Sequence, residues 1–210
     1  MCIRDRKYFG VLTKLFNVAR FASQFDVPSD LETCPEGLAP EDRWILAEFQ
    51  QTMHAVKKAW TTLDIYTATQ ALKTFGTGLL PSHYLEMVKS RLYDDDAAAA
   101  WTLHRIVRDF LAAFSPVCPF FTHHISSTVY GSSAVDVDAF PEPAMKDVAH
   151  GTDEGSRLCD LSHSLQEFNG QTWAAKKEAG VSLNQPISGI SVPDDLAEFS
   201  STLTRMHQLE

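Results

Sequence analysis

Apolar residues recur along most of the chain at separations of three and four, the spacing that gathers them on one face of an α-helix. Phe9, Leu12, Phe16 and Ala19 form the first such stripe and predict a helix from about Asp5 to Phe25. Pro28, the run Cys34-Pro35-Glu36-Gly37 and Pro40 mark a loop behind it. Pro40, Glu41 and Asp42 then suit the first turn of a second helix, where a missing N–H does no harm and acids meet the positive end of the dipole. Its expected buried stripe is Ile45, Phe49, Met53, Val56, Trp60 and Leu63. Asp64 starts a third helix with the stripe Ile65, Ala68, Leu72, Phe75 and Leu79. Gly76, Gly78 and Pro81 predict a kink or break in it before the next helix, His83–Tyr93, which buries Leu85, Val88 and Leu92.

Asp94-Asp95-Asp96 is placed to cap a following helix that faces Leu103, Ile106, Val107, Phe110, Leu111 and Phe114 inward. A shorter helix is expected from about Cys118 to Tyr130, stopped by Gly131. Residues 131–150 are Gly, Ser, Pro and acids without a period, the pattern of a linker. Beyond them, Leu158, Leu161, Leu165 and Phe168 predict a helix from about Asp153 to Ala179, ended by Gly180. Ile187 to Val192 alternates like a half-buried strand, and Asp194 or Asp195 caps a last helix. The fold expected from this pattern is mainly α. An antiparallel helical bundle over residues 7–130 is followed by the 131–150 linker and a small, incomplete α/β module over 151–210.

Composition narrows the function classes. With 44% hydrophobic and 21% charged residues in 210, the chain is an ordinary globular protein, and no apolar run is long enough for a bilayer. Its four cysteines are scattered without a Cys-x-x-Cys pair, which points to reduced thiols in a cytoplasmic setting rather than a disulfide framework or a zinc site. The net charge of -9 argues against a nonspecific nucleic-acid coat, but it is unevenly spread. Residues 1–130 carry 13 Lys and Arg against 14 Asp and Glu, and the remaining 80 carry 5 against 13. Any phosphate-binding face is therefore a local patch in the first part.

Catalytic and metal chemistry find little support. His123 and His124 are neighbours, so on a helix they project about 100° apart and do not converge on a metal. Gly76-Thr77-Gly78 follows a helical stripe instead of a strand, unlike a phosphate loop, and no Gly-x-Ser-x-Gly setting holds a nucleophile. The cations are more informative. Lys14, Asn17 and Arg20 share a helix face at separations of three, and Lys57, Lys58, Lys89 and Arg91 lie near other helix ends. These residues can grip phosphates and read unpaired bases of an RNA loop, with Trp60, Tyr84 and Tyr93 as stacking surfaces. The plainer alternative pairs Arg20 with Glu86 or Asp64 inside the bundle and leaves the lysines solvated.

Several segments, in order, resemble the valyl-tRNA synthetase family of class I, in its archaeal form. Lys14-Leu15-Phe16-Asn17-Val18-Ala19-Arg20-Phe21 resembles the Lys-Leu-Trp-Asn-x-x-Arg-Phe run that opens the family's anticodon-binding bundle. Asp42-Arg43-Trp44-Ile45-Leu46 and the segment His83 to Tyr93 match the next two stretches. Ala113-Phe114-Ser115-Pro116 through Phe120-Phe121-Thr122-His123-His124-Ile125 is similar to the Pro-x-x-Pro-Phe-x-Thr-Glu-Glu-Ile element, and Lys176 to Ile187 to a Lys-x-x-x-Gly-x-x-Leu-Asn-x-Pro run. The departures are Phe16 for Trp and His123-His124 for the two acids.

The resemblance implies binding of a tRNA, the valine tRNA by its anticodon arm, with Lys14, Asn17, Arg20, Lys57, Lys58, Tyr84, Lys89, Arg91 and Tyr93 as candidate contacts. Neither the His-x-Gly-His nor the Lys-Met-Ser-Lys-Ser signature of the family's catalytic domain occurs. The chain is thus expected to be non-catalytic, with no cofactor or metal of its own. ATP and magnesium would serve a catalytic domain expected upstream in cis. The leucyl and isoleucyl relatives share the bundle. A helical protein-interaction scaffold is the rival from another class.

Overall fold

The computed structural model describes residues 3–132 and 140–210, so part of the expected linker, residues 133–139, lies outside the described residues. The chain order is α1 (Ile3–Ala22), α2 (Pro40–Thr61), α3 (Ile65–Thr74), a π-wound segment (Phe75–Tyr84), α4 (Leu85–Tyr93), α5 (Ala97–Phe114) and α6 (Pro119–Tyr130). It continues with α7 (Asp153–Glu178), a 3₁₀ turn (Asp194–Phe199) and α8 (Ser200–His207).

Helix α2 lies at the centre and packs against α3, α5 and α7. That position explains why it buries Trp44, Ile45, Leu46, Ala47, Phe49, Met53 and Val56, far more than one stripe. At its N-terminus Pro40 occupies the first turn, and the Asp42 carboxylate accepts from the Ala39 N–H as a cap. The expected stripe fails at Leu63, which is 81% exposed. Leu63 has left the helix with φ +56°, the left-handed turn that hands the chain to α3. Asp64 then caps α3, its Oδ1 accepting from the Thr67 N–H at 3.0 Å. Asp96 does the same for α5 through the Ala98 and Ala99 N–H groups. All six apolar positions expected to face inward on α5 are buried.

Two stripes fall elsewhere than the simple period places them. Among the described side chains of α1, from Phe9 on, the buried ones are Leu15, Val18, Ala19 and Ala22, while Phe9 and Phe16 are exposed, and the helix ends at Ala22 rather than Phe25. The predicted kink at Gly76, Gly78 and Pro81 is replaced by continuous helix from Ile65 to Tyr93 that widens to π winding at these residues. One extra residue per turn moves the buried position from Leu79 to Leu80, five after Phe75. Gly76 lets this wide segment touch its neighbours: a Cβ there would stand 2.7 Å from Leu15 Cδ2 and Phe110 Cζ.

The expected α/β module is corrected. Among the described residues no strand forms, and Ile187 makes only an isolated parallel bridge to Leu209. Gly189, at φ +81°, turns the segment before a ladder can develop, and a lone strand has no neighbour to satisfy its backbone. Helix α7 packs on α2 and α8 packs on α4, so Leu158, Leu165, Phe168, Leu196, Phe199 and Leu203 join the same core as the bundle. Buried Lys176 holds the loop after α7, donating at 2.7 Å to the carbonyls of Leu183 and Gln185. Arg105 ties down two more connections through the carbonyls of Leu31 and Glu142.

Candidate nucleic-acid interface

The residues that carry the candidate site stand on two helical elements, α1 and the π-wound segment running into α4. Leu15, Val18 and Ala22 hold α1 to the core, which turns Lys14 and Asn17 outward. Facing them, Leu85, Val88 and Leu92 bury α4 and leave Glu86 and Lys89 on its open side. The result is a groove of about 280 Å³ lined by Lys14, Asn17, Val18, Phe21, Thr77, Pro81, Ser82, Leu85, Glu86 and Lys89.

Its chemistry is mixed in a useful way. Val18, Phe21, Pro81 and Leu85 give an apolar floor. Lys14 and Lys89 stand on opposite walls, while Asn17, Thr77 and Ser82 add neutral donors and acceptors. Glu86 lies 3.9 Å from the Lys89 ammonium, an exposed pair that holds neither side chain tightly. Beyond one end, Phe21, Phe25 and the 59%-exposed Tyr93 meet edge to face, with ring centroids 5.2 to 6.4 Å apart.

The other sequence candidates are distributed differently. Arg20 is exposed on α1 and makes no ion pair among the described residues. The expected alternative partners are engaged elsewhere, Asp64 as a helix cap and Glu86 with Lys89. Lys57 and Lys58 are exposed near the end of α2, away from the groove, and the Lys57 ammonium lies 5.9 Å from the Phe140 ring. Trp60, offered as a stacking surface, is half-buried against the core.

Two candidates turn inward, which corrects the expectation that both are free to meet RNA. Tyr84 is fully buried and donates to Asp42 Oδ1 at 2.8 Å, so neither ring face is open for stacking. Arg91 is only 13% exposed, and its guanidinium reaches Glu41 at 2.9 Å, Asp42 at 2.8 Å and Asp96 at 2.8 Å. Burial opposes the charge of Arg91, but the hydrogen bonds and attraction of these carboxylates outweigh it and raise its pKa. Its donors are occupied within the fold, and a phosphate would have to displace three acids.

Sequence spacing does not mark Phe21, Thr77, Ser82 or Glu86 as site residues. Phe21 and Glu86 lie inside the segments that carry the family resemblance, so order within those motifs was the available signal. Thr77 and Ser82 reach the groove through the π winding, which no spacing rule announces. Among the described residues no three His, Cys, Asp or Glu side chains are grouped to hold a metal ion, and His123 and His124 are exposed on α6. No helix of the described residues is long and apolar enough to cross a membrane.

Comparison with known proteins adds the last finding. Residues 42–191 match the family described as the anticodon-binding domain of tRNA ligase. The valine–tRNA ligase of Aeropyrum pernix is 31% identical over 208 residues, covering 93% of this chain and 24% of that protein. The valine–tRNA ligase of Pyrobaculum aerophilum is 31% identical, covering 99% of this chain and 25% of that protein. That of Saccharolobus solfataricus is 30% identical, covering 85% and 20%. The chain therefore spans a quarter or less of the length of these relatives.

Proposed function

The chain belongs to the anticodon-binding domain family of tRNA ligases, and from that premise we propose that it binds the anticodon arm of a valine tRNA through the groove between α1 and α4. The observation that carries this reading is the placement of Lys14, with Asn17 and Phe21, on the α1 wall of one groove and of Lys89 on its α4 wall. The volume suits one unpaired nucleotide. Its base would lie on Phe21, Pro81 and Leu85 while the two lysines meet flanking phosphates. Glu86 favours a base with an exocyclic amino group, since a carboxylate accepts from N–H and repels phosphate. Tyr93 and Phe25 extend a stacking surface toward the next base.

In this reading the chain contributes affinity and register. Valine attachment, ATP and magnesium belong to a catalytic domain in cis, and the whole protein would act in the cytoplasm. The observation favouring valine over leucine or isoleucine is the identity of the relatives that cover nearly the whole chain. The test is binding of a valine tRNA transcript, the same transcript with a changed anticodon, and an unrelated tRNA. The proposal expects the first to bind at least about tenfold more tightly than the other two, the effect of about one well-read base. Equal affinity for all three would remove anticodon recognition from this chain.

A further inference from the structure

The wall of the groove has a back side. His83 follows Ser82, which lines the groove, and precedes Tyr84, which anchors the segment to Asp42. The His83 side chain points away from the groove toward α7, where Asn169 Nδ2 lies 3.1 Å from its Nδ1. Asn169 is fully buried, and its Oδ1 lies 2.8 Å from Nε2 of His207 on α8. Trp173 fills the space beside the pair, its ring 5.6 Å from that of His83 and 5.8 Å from that of His207. One buried amide thus joins the π-wound wall to the two C-terminal helices.

The hydrogen-bond directions define what this bridge requires. The Asn169 amide donates to His83 Nδ1, so that nitrogen must keep its lone pair. The carbonyl accepts from His207 Nε2–H. A proton on His83 Nδ1 would set two donors against each other and break the bond. We propose that Asn169 is a positioning residue for RNA binding: by bridging neutral His83 and His207 it holds the Thr77–Lys89 wall at the spacing from α1 that the groove needs. This inference rests on the RNA reading of that groove.

The surroundings favour the neutral state. Burial lowers the pKa of His83, and burial together with the Lys176 ammonium lowers that of His207 to about 4. The charged groups nearest in the packing are few. Glu48 of α2 and His83 line a second, separate groove, but the Glu48 carboxylate is bound to the Ser162 hydroxyl. Glu86 of α4 faces the RNA groove beside Lys89. On the α7 side Gln166, Asn169 and Trp173 are neutral, Lys176 faces His207, and Arg205 of α8 is exposed.

The experiment measures valine tRNA binding from pH 7.5 to 5 for the chain and its Asn169→Asp variant, with imidazole ¹⁵N NMR of His83 alongside. The unaltered chain should lose affinity as His83 protonates, by about fivefold or more, the low end of coupling between sites. The NMR should show Nδ1 unprotonated at pH 7.5. Aspartate accepts from a protonated Nδ1, so the variant should raise the His83 pKa and keep or gain affinity at pH 5. That opposite pH response is one a merely structural asparagine would not give. Binding that is flat with pH in both proteins, or a His83 Nδ1 that carries its proton at pH 7.5, overturns the inference alone. No binding at any pH overturns the RNA reading and this inference with it.

Discussion

Lys89 and Arg91 are two residues apart on one helix and have opposite fates. A two-residue step turns about 200° around α4, so Lys89 looks into the open groove while Arg91 reaches into the interior between α2 and α5. Lys89 is exposed beside one loosely held acid and an apolar floor. Around Arg91 lie Glu41, Asp42 and Asp96, with the Tyr84 hydroxyl behind Asp42. The same charge is left open to a ligand where its donors are available and is structural where they are already bound. The comparison also shows how the two are connected: the knot at Arg91 fixes the helix that presents Lys89.

The largest expected effect breaks the interior side. Arg91→Ala leaves Glu41 and Asp42 buried without their counter-charge and should destabilise the fold by about 3–5 kcal/mol. Chemical denaturation measures it, and a loss below about 1 kcal/mol would show that the knot is not structural.

Next in size is the acid side of the pH–stability curve. The folded chain holds His207 neutral down to about 4, while the unfolded chain takes the proton near the ordinary imidazole value of 6.5. The unfolded state therefore binds more protons between these values, and stability is lost as pH falls from about 6.5 to 4, by about 3 kcal/mol from this group. Thermal melts at pH 7 and 4.5 check it, and His207→Leu should flatten that slope. An unchanged slope in the variant would assign the loss to other groups.

A smaller effect sharpens the boundary between the two sides. Gly76→Ala forces Leu15 and Phe110 to move, at a cost of about 1–3 kcal/mol, and should push α1 outward from the π-wound wall. Because Leu15 sits beside Lys14, RNA binding should weaken together with stability. Full affinity in a destabilised variant would show that the groove tolerates a wider opening.

Much of the helical order is legible in the chain because local rules and burial agree there. On α5 the period of 3.6 coincides with deep packing, and Asp96 caps where a capping residue is expected. Legibility ends where tertiary geometry changes the period or removes a partner. Phe9 and Phe16 fit a helical stripe as well as Leu15 and Val18 do, and only the position of α5 and the π-wound segment decides which face is covered. Leu80 replaces Leu79 because the backbone widens around Gly76 and Pro81. Ile187 to Val192 alternates like a strand but finds only Leu209 beside it. At the site, Lys14, Asn17 and Lys89 were recognisable as candidates, yet Arg91 and Tyr84 looked equally available. Their withdrawal depends on Asp42, which lies 42 residues before Tyr84 and 49 before Arg91 and reads locally as a helix-capping acid.

The most direct test of the central claim measures tRNA affinity against salt for the chain and for the double variant Lys14→Glu, Lys89→Glu. Both lysines are exposed, so the variant should fold with stability within about 0.5 kcal/mol per site of the original. Binding should weaken and the log–log salt slope should become shallower by about 2, one for each lost phosphate contact. An unchanged affinity and slope in the folded double variant would contradict the groove reading and place RNA binding on another surface.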